Sequence, residues 1–307
     1  MAPLVLGLDV GGSKTAAVLS DGQQTHADLA GGSANPASVG LVEAGRQLDA
    51  IAEKLDGARP AAVYAGVAGA DTPESRHRFR QLLARRWPGA RIRVEHDSAL
   101  VLAAAGTRTG IAVIAGTGSV AWGCDRDGRT ARAGGWGYLV GDEGSGYWIT
   151  REAVRQALRR ADQGLEPDPL GAALAAGCGL ADPGQLLDHF YAQPERRYWA
   201  ARAGIVFRLA DRGDPVAGAI VAEAVAALIA LARTVGHRLD LTGPLVLAGG
   251  LAVHHPALST AVRDGLAARG MTDVRVLDWD PVHGAVRLAV ELLETGSSAE
   301  TDTNERN

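Results

Sequence analysis

A short pattern that occurs twice constrains the fold of this chain more than any other feature. LVLGLDVGGSKTAAVLSDG near the start predicts a strand, a glycine turn, a second strand and an Asp-Gly turn, and IAVIAGTGSVAWGCDRDG repeats that order. Gly12-Ser13 corresponds to Gly118-Ser119, and Asp21-Gly22 corresponds to Asp127-Gly128 at the same separation. Two copies of one unit predict a duplicated architecture.

The segments after each copy extend the repeat. Helical and strand patterns alternate in both halves, so each half reads βββαβαβα, which predicts an α/β fold of two similar domains. We place the domains at residues 1–106 and 107–294, with a helical insertion at about 162–213 and a disordered polar tail at 295–307. Ligands of open α/β sheets bind at the carboxyl ends of the strands, so a central cleft between the halves is expected.

Composition excludes several classes of protein. The net charge of −4 offers no basic field for a nucleic acid or an acidic membrane surface. Cys124 and Cys178 are the only cysteines and lie far apart, which argues against a disulfide scaffold, a zinc site or an iron–sulfur cluster. The apolar run around 217–232 contains Glu223 and predicts a buried helix rather than a membrane span. We expect a cytoplasmic protein that binds neither nucleic acid nor membrane.

Both glycine turns are candidate phosphate loops. The first is not a P-loop, because Ser13 separates Gly12 from Lys14 and a strand pattern follows where a helix would be required. A hairpin whose backbone N–H groups face an anion fits better, although tight turns with no ligand remain an alternative. The predicted phosphate-binding residues are Gly11, Gly12, Ser13, Lys14, Thr15, Thr117 and Gly118.

Two acidic residues stand at positions that suggest chemistry. Asp9 has Ala115 as its counterpart in the repeat, and an acid beside a phosphate loop requires a cation, so we predict a Mg²⁺ site at Asp9. Asp97 lies where a strand ends and a helix begins. It can be a general base for phosphoryl transfer or a helix N-cap.

The segment GGWGYLVGDEGSG at 134–146 is too rich in glycine for a regular element and predicts a shaped loop. Its acids and exposed N–H groups suit the recognition of a polyol, whose hydroxyls both donate and accept hydrogen bonds. A plain surface loop is the alternative.

Together DVGGSKT, Asp97, AGTGS, GGWGYLVGDEGSGYWI and LAGGL resemble the BadF/BadG/BcrA/BcrD ATPase-like family, and most of all its N-acetylglucosamine and glucosamine kinases. The resemblance covers roughly Leu4 to Leu293. It implies the actin-like ATPase fold shared with hexokinase and Hsp70, ATP with Mg²⁺, a sugar substrate, a homodimer, and Asp97 as the base that activates the sugar 6-hydroxyl. It also implies sugar contacts from Asn35, Ser119, Gly135, Trp136, Gly137 and Asp142, and nucleotide contacts from Gly213, Gly249 and Gly250.

The chain departs from that pattern near the acetamide pocket. Val120 stands where animal-type N-acetylglucosamine kinases carry Asn, and Ala34, Pro36 and Ala37 around Asn35 are small. We predict N-acetylglucosamine as the substrate, with glucosamine as the alternative. An iron–sulfur activator would need clustered cysteines, a ROK kinase would carry a cysteine-rich zinc motif, and a sugar-responsive regulator would not need Asp97.

Overall fold

The protein is described by a computed structural model over residues 2–70 and 72–304. Within these residues, ten strands form two five-stranded sheets with the orders β3-β2-β1-β4-β5 and β10-β9-β6-β7-β8. The strands are β1 Val5–Val10, β2 Thr15–Ser20, β3 Thr25–Gly31, β4 Ala62–Val67, β5 Arg91–His96, β6 Gly110–Ala115, β7 Ser119–Cys124, β8 Thr130–Gly134, β9 Leu245–Ala248 and β10 Val274–Val276.

The two sheets have equivalent topologies. In each, the first three strands form an antiparallel meander and two further strands add in parallel, so β4 and β9 occupy corresponding places beside β1 and β6. The duplicated α/β architecture predicted from the paired hairpins is therefore confirmed.

Twelve α-helices connect and cover the strands over the described residues. They are α1 Pro36–Lys54, α2 Pro73–Arg86, α3 Ser98–Ala104, α4 Gly146–Asp162, α5 Pro169–Gly177, α6 Leu186–Ala192, α7 Arg196–Ala200, α8 Ala203–Asp211, α9 Pro215–Leu239, α10 Gly250–His254, α11 Pro256–Ala267 and α12 Val282–Asn304. The short helices α5–α8 occupy the predicted insertion. The predicted tail at 295–307 extends beyond the described residues, and α12 continues through Asn304. Its disorder stays a prediction.

The chain divides into two compact units, and the division differs from our sequence boundaries. One unit comprises residues 1–108 together with 279–307, and the other comprises residues 109–278. Helix α12 was placed in the second domain because the repeat order assigns it there. It packs instead against β1, β4 and α3 of the first unit, with Ala285, Leu288 and Ala289 buried beside Leu100.

Helix α9 is the one described helix that is long and apolar enough to cross a membrane by length and composition. Its buried residues Ala217, Ile220, Ala224 and Leu228 recur at helical spacing and join the core of the second unit. The helix also contacts β6, β7 and β8. It is therefore a core helix of this unit, as the interrupted apolar run predicts.

Glycines permit the close packing of α12 in the first unit. A Cβ at Gly284 would lie 2.1 Å from the carbonyl oxygen of Leu100, and a Cβ at Gly7 would lie 2.7 Å from the backbone N of Val286. Both contacts are with backbone atoms, which cannot move aside as a flexible side chain can. Any larger residue at either position must push α12 away from its seat.

We expect Gly284→Ala to destabilise the protein by about 1–3 kcal/mol, the usual range for overpacking. Gly218→Ala is the matched control, because Gly218 lies in α9 and a Cβ there meets no atom within 4 Å. The control should be neutral or stabilising by about 0.5–1 kcal/mol, owing to the better helix propensity of Ala. Chemical unfolding of both variants measures the difference, and equal stability would contradict the packing argument.

Candidate active site

The first glycine hairpin joins β1 to β2 and presents an exposed tip. The Gly11 N–H donates to the Lys14 carbonyl at 2.9 Å and closes the turn. Gly12, Ser13 and Lys14 are exposed. Since the Gly11 N–H is used within the turn, phosphate contacts at this hairpin would be made by the tip residues.

Thr15 and Ser33 fix the base of this hairpin to the segment before α1. The Thr15 hydroxyl oxygen accepts a 2.9 Å bond from the Ala34 N–H, and the Ser33 hydroxyl donates to the Gly11 carbonyl at 2.9 Å. Thr15 is fully buried, so this structure gives it an anchoring role. Its predicted phosphate contact stays untested.

Asn35 joins two loops through its side chain. Its Oδ1 accepts from the Ala37 N–H and caps α1, and its Nδ2 donates to the Ala68 carbonyl, each at 2.9 Å. The residue is buried and lines a cavity of about 360 Å³ beside Ala68, Thr72 and Phe79. Asn35 therefore shapes the wall of this cavity, and its predicted contact with a sugar stays a prediction.

Asp9 occupies the carboxyl end of β1 in a strongly unfavourable electrostatic setting. The pKa of its carboxyl is raised from 3.8 to about 7, first by burial and then by the negative charges of Asp97 and Asp280. Lys14 acts in the opposite direction, but less strongly. An ionised Asp9 lacks a sufficient positive partner among the described residues of this unit.

Asp280 is a residue of the site that sequence reasoning missed. It precedes α12 and lies 3.8 Å from the Lys14 ammonium. The signal was present, because Asp280 stands between a strand and a helix in the second repeat as Asp97 does in the first. It was overlooked because α12 was assigned to the other domain.

Asp97 follows β5 and precedes α3, but it does not cap the helix. Its backbone is helical, with φ −56° and ψ −32°, and its side chain makes no capping hydrogen bond. The carboxylate Oδ1 lies 2.9 Å from His96 Nδ1, and the side chain is 19 % exposed. The N-cap alternative is thus wrong, and the carboxylate keeps an oxygen for other contacts.

In the second unit, Asp142 holds the 134–146 loop against the hairpin between β6 and β7. Its carboxylate accepts hydrogen bonds from the backbone N–H groups of Ser119 and Gly137, while burial raises its pKa. Its φ is +61°, a conformation uncommon for a non-glycine residue and typical of functional or structurally demanding positions. A Cβ at Gly118 would lie 2.8 Å from the Asp142 Oδ2, so Gly118 is required for this contact.

Further hydrogen bonds reinforce the same docking. The Ser119 hydroxyl donates to the Glu143 carbonyl at 2.7 Å, and the Gly146 N–H donates to the Gly116 carbonyl at 2.8 Å. Ser119 and Asp142 are both buried, so their polar groups are used within the protein. Their predicted sugar contacts stay predictions.

The outward side of the loop carries apolar groups. Trp136 is 67 % exposed, with the Arg132 guanidinium 4.5 Å from the centroid of its ring. Gly135 and Gly137 flank it with φ of +69° and +87°. Glu143 is also exposed. This loop offers an aromatic face and a carboxylate on a backbone fixed from behind by Asp142.

The late glycines have structural roles that sequence reasoning did not anticipate. Gly249 has φ +93°, and a Cβ there would lie 2.5 Å from the Ala115 carbonyl oxygen, so the turn after β9 packs directly on β6. Gly250 begins α10 beside Gly116. Gly213 has φ +85° and ends α8 with a hydrogen bond to the Ala210 carbonyl. Their nucleotide contacts remain untested.

The donors at Asp9 suit a hard divalent cation held in part by a ligand. Among the described residues, no group of three or more His, Cys, Asp or Glu side chains could hold a metal by itself. Mg²⁺ commonly binds one or two carboxylates and completes its shell with water and phosphate oxygens. The uncompensated charge at Asp9 fits that mode of binding.

The profile of the BadF/BadG/BcrA/BcrD ATPase family matches residues 6–289. This chain belongs to that family. It is 32 % identical over 195 residues to an N-acetylmuramic acid/N-acetylglucosamine kinase of Clostridium acetobutylicum. The aligned region covers 62 % of this chain and 64 % of the relative. It is 33 % identical over 165 residues to an N-acetyl-D-glucosamine kinase of Dictyostelium discoideum. This second aligned region covers 50 % of this chain and 51 % of the relative.

This member of the BadF/BadG/BcrA/BcrD family thus spans about half to two thirds of the length of these two curated relatives. Its structure resembles that of a candidate N-acetylglucosamine kinase from Chromobacterium violaceum, with a TM-score of 0.71 and 27 % identity over 94 % of this chain and 99 % of that one. The actin-like ATPase fold implied by the sequence resemblance is confirmed.

The raised pKa of Asp9 predicts a pH-dependent stability in metal-free buffer. Between pH 3.8 and about pH 7, the Asp9 carboxyl of the folded chain holds a proton that the unfolded chain has lost. The free energy of unfolding should therefore fall as pH rises through this window and level off above it, by at most about 4 kcal/mol from this residue.

Asp9→Asn removes the titrating group at nearly constant volume. The variant should be more stable than the wild type at pH 8 and should lose that advantage below pH 4. Urea unfolding at the two pH values measures the change, and an equal difference at both would refute the assignment.

Proposed function

We propose that this protein is an ATP-dependent kinase that phosphorylates the 6-hydroxyl of N-acetylglucosamine. The carrying observation is the Asp97 carboxylate, which stands at a strand end without a capping role and interacts electrostatically with Asp9. Membership of an ATPase family supports ATP as the donor, and the names of the relatives support an amino sugar.

In the proposed reaction, Asp97 accepts the proton of the sugar 6-hydroxyl. The freed oxygen forms a bond to the γ-phosphorus while the bond from that phosphorus to the bridging oxygen breaks, so ADP leaves with the electron pair. Phosphoryl transfer needs a positioned acceptor, charge neutralisation and a carboxylate for the proton. Asp97 supplies the last of these.

The phosphate and metal contacts are assigned to the first hairpin. Gly12, Ser13 and Lys14 at its exposed tip would bind phosphate oxygens, and Asp9 would hold Mg²⁺, directly or through water. When bound, Mg²⁺ supplies positive charge to the phosphates. That charge would also offset the repulsion among Asp9, Asp97 and Asp280.

The sugar-recognition role is assigned to the 134–146 loop. Exposed Trp136 offers an apolar face for a sugar ring or an acetyl methyl, and the Arg132 guanidinium beside its ring disfavours an ammonium there. Exposed Glu143 is the observation that favours the alternative, glucosamine, whose ammonium would pair with a carboxylate. A cytoplasmic location and a homodimer are also part of the proposal and stay predictions.

Asp97→Asn should lower kcat by about 10²- to 10⁴-fold, the usual cost of losing a general base, because the amide cannot accept the proton. Stability should change little, since Asp97 makes no cap bond. Asp168→Asn is the matched control, because Asp168 caps α5 through the Gly171 N–H and lies in the insertion. A coupled ADP-release assay compares the two, and normal turnover by Asp97→Asn would refute the base assignment.

We expect kcat/KM for N-acetylglucosamine to exceed that for glucosamine. The assay should also include N-acetylmannosamine, N-acetylmuramic acid, glucose and a sample without sugar. Glu143→Gln should leave the acetylated sugar unaffected within about threefold, and 6-deoxy-N-acetylglucosamine should bind without accepting phosphate. A preference for glucosamine that disappears in Glu143→Gln would establish the alternative.

A further inference from the structure

Strand alternation predicts that His96 faces away from Asp97 as a packing or surface residue, but the imidazole lies in contact with the proposed base. It is the last residue of β5 and is buried, with its side chain 7 % exposed. The backbone of β5 is held in parallel register with β4, where His96 pairs with Val67. The imidazole therefore has a fixed position next to Asp97.

The geometry at His96 Nδ1 indicates where a proton lies. Nδ1 is 2.9 Å from Asp97 Oδ1, and the Ser98 backbone N–H is placed to donate to the same Nδ1 at 3.2 Å. If Nδ1 only accepted a bond from Ser98, its lone pair would face the lone pairs of an ionised carboxylate oxygen at 2.9 Å. A proton on Nδ1, donated to Oδ1, removes that repulsion and replaces the longer bond from Ser98 by a shorter hydrogen bond to a charged acceptor, which is the stronger kind.

Asp97 needs such a partner because, among the described residues, its remaining side-chain contact holds it less firmly. The terminal torsion of an Asp side chain has broad energy wells, so a carboxylate without partners samples many orientations. Asp97 makes no cap bond, and the Ser98 hydroxyl reaches Oδ1 only at 3.5 Å, the outer limit of a hydrogen bond.

We infer that His96 is a positioning residue for the phosphoryl transfer, and this inference rests on the proposed function. Its Nδ1–H holds Asp97 Oδ1, so that Oδ2 is directed to the acceptor hydroxyl. The role is one of orientation, and misplacement of a catalytic group by about 1 Å can cost on the order of 10²-fold in rate. His96 itself touches neither sugar nor nucleotide.

Three substitutions separate positioning from packing. Asn places an amide N–H near the position of Nδ1, Gln places it farther from the backbone, and Phe keeps the ring shape with no donor. We expect His96→Phe and His96→Gln to lower kcat by about 10- to 100-fold with KM for the sugar within about threefold. His96→Asn should retain kcat within about fivefold of the wild type.

A packing role predicts the opposite order, because Phe fills the buried volume and Asn leaves a gap. Full kcat in His96→Phe, or equal kcat in the Asn and Gln variants, would overturn the inference. The Asn and Gln comparison decides the matter even if the Phe variant does not fold. Thermal unfolding of each variant separates a loss of kcat from a loss of folded protein.

A double variant distinguishes this inference from the proposed function. Adding His96→Phe to Asp97→Asn should lower kcat by less than about twofold, because the group that His96 orients has already lost its role. Normal activity of Asp97→Asn alone would refute the base assignment. A severe loss in Asp97→Asn with no loss in His96→Phe would refute only the role of His96.

Discussion

The packing of α12 onto β1 and α3 is the constraint on which the first unit depends. Gly7 and Gly284 bring backbone atoms of neighbouring elements so close that no side chain fits between them. This approach places Asp280, which precedes α12, within 3.8 Å of Lys14 and in electrostatic contact with Asp9. A hydrophobic contact far along the sequence therefore determines which charges surround the strand end of β1.

Those charges explain why the strand end is suited to a cation, through which phosphates could then bind. The carboxylates of Asp9, Asp97 and Asp280 interact there, and Lys14 is the cation whose charge acts to lower the pKa of Asp9. The burial of the hydrophobic cores around the sheets offsets the free-energy cost of that repulsion. In the proposed function, a divalent cation beside Asp9 would supply the positive charge that these carboxylates lack, so metal binding would relieve an unfavourable feature of the ligand-free protein.

The sequence predicted the duplicated topology well because hairpins, strands and helices follow local periodicity. It predicted the domain boundary less well, since the seat of α12 depends on contacts between Gly284 and Leu100 that no local pattern encodes. Asp97 was identified from its place between a strand and a helix. The N-cap alternative could be rejected only from the structure, through its dihedral angles and its missing cap hydrogen bond. His96 was expected to face away from Asp97 because side chains alternate along a strand, but β5 ends at His96 and the helical backbone of Asp97 breaks the alternation.

The polar residues that the resemblance assigns to the sugar differ in how much of their bonding capacity is already used. The side-chain oxygens of Asn35 and Asp142 accept hydrogen bonds from backbone N–H groups, and the Ser119 hydroxyl donates to a backbone carbonyl. Such residues set the shape of loops, so their replacement would alter many contacts at once and reduce both stability and binding. Trp136 and Glu143 are exposed, and each suits a different hexosamine. The aromatic ring suits an acetyl group, and the carboxylate suits an ammonium. Discrimination between an acetamide and an ammonium is therefore best sought in these two side chains, which can change without unfolding the loop that carries them.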